Sequence, residues 1–159
     1  MPSATAHVSL RPVTDEDREF LLALYGSTRE AELAQLPWDA EQRDAFVRMQ
    51  FAAQTASYHG ANPDASFDVV EVAGEPVGRL SVDRRAEMVH VIEISVAPGF
   101  RGAGIGSGLL RRLQDEAAAS SRGVSVYVEV HNPAQRLYER LGFVPVAEVG
   151  VHRLLEWRP

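Results

Sequence analysis

A mixed layer fold, an α/β arrangement of the α+β type with one sheet flanked by helices, is what this sequence predicts. Three observations predict it. Val124, Val126, Val128 and Val130 alternate strictly, the period of a strand with one buried face. Two extended runs, 66–72 and 77–83, flank the turn residues Ala73, Gly74, Glu75 and Pro76 and read as a hairpin. A glycine-dense stretch from Arg101 to Gly108 leads out of a strand and into a helix.

The elements follow in chain order. His7 to Val13 alternates as a first strand. Thr14 suits a helix N-cap, and Asp15, Glu16 and Asp17 suit the positive end of the helix that follows to about Ser27. A second helix begins near Trp38 and Asp39 and continues to about Tyr58, with Phe46, Met49 and Ala53 on one face. After the hairpin, Val89 to Val96 is a further strand. A helix over about Leu109 to Ala119 comes next, then the valine strand. Pro133 opens a short helix that ends near Leu141. Phe143 to Val149 and Val151 to Trp157 close the chain as strands. The order is β-α-α-β-β-β-α-β-α-β-β.

Composition narrows the function. The 159 residues suit one domain, 1–159, and the 45% hydrophobic and 24% charged content is that of a globular chain. No apolar run reaches the ~20 residues of a membrane span. Met1 to Leu10 lacks the basic region and apolar core of a secretory leader, so the expected compartment is the cytoplasm. There is no cysteine, which excludes disulfides, thiolate metal sites and a cysteine nucleophile. The five histidines lack metal-ligand spacing, so no metal is expected. A net charge of -6 speaks against nucleic acid and is compatible with a cationic small substrate, although it also simply aids solubility.

The glycine stretch carries the chemistry. Glycines let backbone N–H groups converge on one concavity, and a helix N-terminus adds unpaired donors and partial positive charge. The arrangement suits a pyrophosphate, with Arg101 adding a charge-assisted contact. The dinucleotide fingerprint fails at Ser107 in one frame and at Leu109 in the other. The P-loop fails for want of Gly-Lys-Ser/Thr, and the nucleophile elbow does not fit around Ser107. What fits is R-x-x-G-x-G: Arg101, Gly104, Gly106.

Residues 94–110, ISVAPGFRGAGIGSGLL, resemble the acetyl-CoA pyrophosphate segment of the GNAT superfamily of N-acetyltransferases. Residues 130–143, VHNPAQRLYERLGF, resemble that family's second motif, in the family's order and roughly its separation. The resemblance implies a mostly antiparallel central sheet whose fourth strand carries a bulge and splays from the fifth, opening a slot for pantetheine. It implies acetyl-CoA as co-substrate and direct transfer to an amine, of a small molecule or a peptide, in a ternary complex. A homodimer is compatible with it. Two rivals share the fold: a transferase of a longer acyl-CoA, and a non-catalytic or regulatory acyl-CoA-binding module.

By the same resemblance the backbone of Ile94 and Val96 would bond the pantetheine arm, their side chains packing in the core. Arg101, Gly102, Ala103, Gly104, Gly106 and Ser107 would surround the pyrophosphate. Asn132 would bond the pantetheine amides, or cap the helix after it. Tyr138 would protonate the departing thiolate; otherwise it is a packed tyrosine. For the base the family fixes no position. Glu93 and His90 are the polar candidates on the strand entering the slot, with His131 and His152 behind them and an ordered water as the alternative.

Overall fold

A computed structural model describes residues 7–159. The reading of the first ten residues as lacking a leader therefore rests partly on residues 1–6, outside the described ones. Seven strands and four helices appear in the predicted order. The strands are β1 (Val8–Pro12), β2 (Ser66–Val72), β3 (Glu75–Arg84), β4 (Met88–Val96), β5 (Gly123–Glu129), β6 (Val144–Val149) and β7 (His152–Trp157). The helices are α1 (Arg18–Leu33), α2 (Ala40–Ala61), α3 (Ile105–Ala119) and α4 (Gln135–Arg140). None of them is long and apolar enough to cross a membrane among the described residues.

The strands form one sheet in the order β1-β2-β3-β4-β5-β7-β6. Every neighbouring pair is antiparallel except β4 and β5, which run parallel. That parallel pairing is short. It runs from Met88 opposite Gly123 to Val91 opposite Val126, and the two strands then continue without pairing to Val96 and Glu129. The expected splay of the fourth and fifth strands is this divergence.

A bulge sets which side chains face which side. Ser81 pairs with Glu93 and Val82 with Val91, so Ile92 has no counterpart on β3. The extra residue re-phases β4. Val89, Val91, Ile94 and Val96 share the face that packs with Leu109, Leu110 and Leu113 of α3 in the main core. His90, Glu93 and Ser95 are thereby turned to the opposite face, toward α1 and α2.

The second layer is thinner. Leu22, Tyr25, Leu33 and Val47 make a small apolar cluster between α1 and α2, covered by Trp38, Phe46 and Phe51. Asp39 caps α2: its carboxylate accepts from the Gln42 N–H at 2.8 Å, and the Gln42 side chain accepts from the Asp39 N–H at 2.9 Å.

Three expectations need correction. Helix α1 does not stop near Ser27 but runs to Leu33, because Gly26 is not a terminus; it sits where α1 meets Val47 of α2. Helix α3 starts at Ile105 rather than Leu109, inside the glycine stretch. The face of α2 that carries Phe46, Met49 and Ala53 is partly buried only at Phe46, which packs against the small apolar cluster. Met49 and Ala53 are exposed, and the inward stripe is Val47, Gln50, Gln54 and Tyr58. Gln54 and Tyr58 face a cavity and Gln50 accepts from the Tyr25 hydroxyl, which apolar periodicity cannot register.

Candidate active site

Where β4 and β5 part, a cavity of about 410 Å³ opens. Its floor comes from the divergent strand ends: Glu93, Ile94 and Ser95 on β4, Val126 to Glu129 on β5. Tyr138 and Asn132 close one side. The other wall comes from Tyr25, Thr28, Arg29 and Glu32 of α1 and from Gln54 and Tyr58 of α2. All four tyrosines of the chain line this one cavity.

A second cavity of about 400 Å³ lies at the start of α3, lined by Val96, Arg101, Gly102, Gly104, Gly106 and Ser107, together with Phe100, Ile105, Leu137 and Arg140. Gly102 and Gly104 adopt φ of 78° and 82°, which an L side chain resists. Gly104 is the N-cap of α3, and the first helical bond runs from the Gly108 N–H to the Gly104 carbonyl at 2.9 Å. The N–H groups of Ile105, Gly106 and Ser107 thus precede the helix's own acceptors. A Cβ on Gly106 would meet no protein atom within 4 Å, so its bareness serves the cavity rather than the packing. Converging donors, a helix dipole and two arginines fit a pyrophosphate. Arg101 also ties the loop down, donating to the Val96 carbonyl at 2.9 Å and reaching Ser27 Oγ at 3.4 Å.

Tyr138 is 5% exposed, its ring edge-on to Phe143 with centroids 5.3 Å apart. Burial alone pushes its phenol to about 12, so it carries its proton throughout the neutral range. Asn132 does not cap α4, whose N-cap is Ala134. Its Oδ1 accepts from the Ala134 N–H at 2.9 Å in the turn before the helix, and the residue also lines the first cavity.

Glu93 is the deepest carboxylate of the cavity. Burial raises its pKa, against a lowering pull from Arg79 and smaller ones from Ser95 and Arg29. Arg79 Nη2 stands 3.7 Å from Glu93 Oε2, close enough for attraction between the charges but too long for a hydrogen bond. Glu93 Oε2, Ser95 Oγ and Gln54 Oε1 are all buried without a protein hydrogen-bond partner. Polar atoms in such a state are poised for a polar guest. Tyr58 stands above them; burial, then the Glu93 charge, raise its pKa.

His90 is elsewhere. It lies in the paired part of β4, opposite Ser125, and its Nδ1 is 2.7 Å from Ser125 Oγ. Burial, then Arg85, lower its pKa to about 4, with Asp83 opposing. It is outside the residues lining the cavity, and it is neutral at physiological pH. The fold thus gathers Tyr138, Glu93, Ile94 and Asn132 in one cavity. Val96, Arg101, Gly102, Gly104, Gly106 and Ser107 gather in the next, Ala103 lying in the same loop outside its lining. His131 is exposed outside both, whereas His152 lines the first.

Sequence reasoning missed the α1 and α2 wall, Tyr127, Glu129 and Arg140. A signal existed for two of them: once the valines of β5 are assigned to the core, Tyr127 and Glu129 must face the other way.

Comparison with known proteins agrees with this architecture. Residues 63–145 match the acetyltransferase (GNAT) domain family, just over half of the chain, and the chain belongs to that family. An uncharacterised N-acetyltransferase of Methanocaldococcus jannaschii is 38% identical over 144 residues, covering 85% of this chain and 60% of the relative. An N-alpha-acetyltransferase of Sulfurisphaera tokodaii is 32% identical over 98 residues, 52% of this chain and 59% of the relative. The chain thus spans about three fifths of the length of these curated relatives. The crystal structure of the PaiA N-acetyltransferase of Thermoplasma acidophilum, in complex with coenzyme A, shares the fold. Its TM-score is 0.71 at 16% identity, over 96% of this chain and 99% of that one.

Proposed function

We propose that residues 1–159 act as a single acetyl-CoA-dependent N-acetyltransferase domain, transferring the acetyl group directly to an amine in a ternary complex. The observation that carries this reading is the adjacency of two cavities: one of backbone donors, one holding a buried carboxylate and a buried phenol.

The glycine loop holds the pyrophosphate of acetyl-CoA on the N–H groups that open α3. The backbone of Ile94 and Val96, unpaired with β5, bonds the pantetheine arm and places the thioester in the slot. Glu93 takes a proton from the incoming ammonium, which at a reference pKa of ~10.4 arrives charged. Glu93 passes its proton on to solvent. The freed nitrogen bonds to the acetyl carbon, the carbon–sulfur bond breaks, and the surplus proton on the nitrogen also leaves to solvent, giving the neutral amide. Tyr138 donates its hydroxyl hydrogen to the departing sulfur. With its pKa near 12, it acts first as a hydrogen-bond donor to the developing charge. Its proton crosses as the bond breaks, and solvent restores it.

The N-acetyltransferase names of the curated relatives support this reading. The experiment is release of free CoA thiol from acetyl-CoA with a panel of primary amines. Amine-dependent release is expected; CoA binding without release for any amine, peptide or longer acyl donor would overturn it.

A further inference from the structure

The re-phased sheet places a second group of side chains on the acceptor side of the slot. On β5, Ser125, Tyr127 and Glu129 alternate on the face shared with Glu93. Glu129 pairs in register with His152 and Tyr127 with Leu154, so this patch continues onto β7. Tyr127 is 47% exposed, yet its ring is held edge-on against His90 at 5.5 Å. Glu129 is also exposed. Both line the cavity that holds Glu93.

The charges of this cavity are unevenly spent. Glu32 is paired with Arg29 at 3.1 Å, and Arg29 itself lies over the Tyr25 ring at 5.6 Å. Glu93 has Arg79 at 3.7 Å beneath it. Among the described residues, Glu129 has no cationic side chain within 4 Å. An unpaired carboxylate beside an exposed, fixed aromatic face is what binds an alkylammonium, by charge and by cation–π attraction. Meanwhile the buried oxygens of Glu93, Gln54 and Ser95 have no protein donor, which suits the N–H groups of a first ammonium.

We propose that Tyr127 and Glu129 form a second cation subsite, so that the acceptor is a primary amine bearing a further positive charge along its chain, a diamine or a longer polyamine. This rests on the reading of the cavity as the acceptor site. Glu93 receives the nitrogen to be acetylated. Tyr127 and Glu129 hold the distal ammonium and set the register of the chain between them. Tyr25 and Tyr58 offer walls without a net charge to an alkyl linker. A carboxylate-bearing acceptor is disfavoured, because its anion would lie near Glu129 or Glu93.

The test compares diamines from propane- to hexane-diamine with the matching n-alkylamines, by CoA release and by calorimetric binding to the CoA-loaded protein. The expected result is a diamine kcat/KM roughly tenfold above that of the alkylamine, expressed in KM, with an optimum chain length. Glu129→Gln and, separately, Tyr127→Leu are expected to collapse that ratio toward one, and added salt to erode it. Equal efficiency for diamine and alkylamine in the wild type would overturn the proposal. So would a ratio that survives both substitutions, or a free peptide N-terminus preferred over every diamine. If no amine is acetylated, the transferase reading fails by itself and calorimetry decides the subsite. Diamine binding weakened by Glu129→Gln supports it; binding unaffected by the substitution sinks it.

Discussion

The two sides of the slot are built by different means. On the cofactor side, backbone does the work: an N-cap glycine at φ 82°, a helix start with free N–H groups, and strand ends that have lost their partner. That side rests on the main core, where Leu109 is 2% and Leu110 0% exposed. On the proposed acceptor side, side chains do the work: Tyr25, Glu32, Gln54 and Tyr58 on two helices joined by a small apolar cluster, facing Glu93, Tyr127 and Glu129 on the strands. Backbone donors of one geometry suit one invariant ligand group. Side chains are free to vary, so on the proposed reading the acceptor side is where specificity would be written.

Substitutions at the meeting point should therefore separate chemistry from binding. Tyr138→Phe keeps the ring that packs on Phe143 and removes the proton. A fall in kcat of roughly 10²–10⁴-fold is expected at nearly constant KM for acetyl-CoA. A kcat within about a factor of two of the wild type would make Tyr138 structural or place the slow step outside the chemistry.

Glu93→Gln removes the proposed base and keeps its shape. Because burial raises the Glu93 pKa, the acidic limb of kcat/KM should lie above the ordinary carboxylate range. Activity is lost as pH falls and Glu93 gains its proton. In Glu93→Gln the rate should be lower and that limb flat. An unchanged limb at wild-type rate would hand the role to water.

His90 gives the contrasting expectation. Its folded pKa of about 4 lies below the ordinary value of 6.5. The folded state therefore binds fewer protons than the unfolded one, and stability falls as pH drops from about 6.5 toward 4. His90→Gln should leave the acidic limb of kcat/KM in place while removing this part of the acid sensitivity in thermal melts. Loss of the kinetic limb instead would return His90 to the chemistry. Smallest of all, Asn132→Ala removes the acceptor for the Ala134 N–H in the turn before α4 and should cost about 0.5–1 kcal/mol in denaturant melts.

The same contrast explains what was legible in the sequence. Gly102 and Gly104 were readable because the loop turns through positive φ there, a demand visible in residue type alone, and Gly106 came with the first motif. Tyr138 and Asn132 came with the second motif. The strand order followed from alternation and turn residues. Tyr25, Tyr58 and Gln54 were not readable, because nothing local distinguishes a polar residue facing a cavity from one facing solvent. Met49 shows the converse error: apolar and at helical spacing, it is 61% exposed. The bulge in the fourth strand came with the family resemblance, but its position at Ile92 had no local signal, and that position separates the surroundings of Glu93 from those of His90.

The division of labour is tested most directly by titrating CoA into Gly104→Val and Glu93→Gln side by side in a calorimeter, each checked for native circular dichroism. A β-branched residue at φ 82° distorts the cap and crowds the phosphates, whereas Glu93 lies outside the glycine-loop cavity. The prediction is no measurable binding to Gly104→Val and wild-type binding to Glu93→Gln. Unchanged CoA binding by a folded Gly104→Val protein would contradict the account.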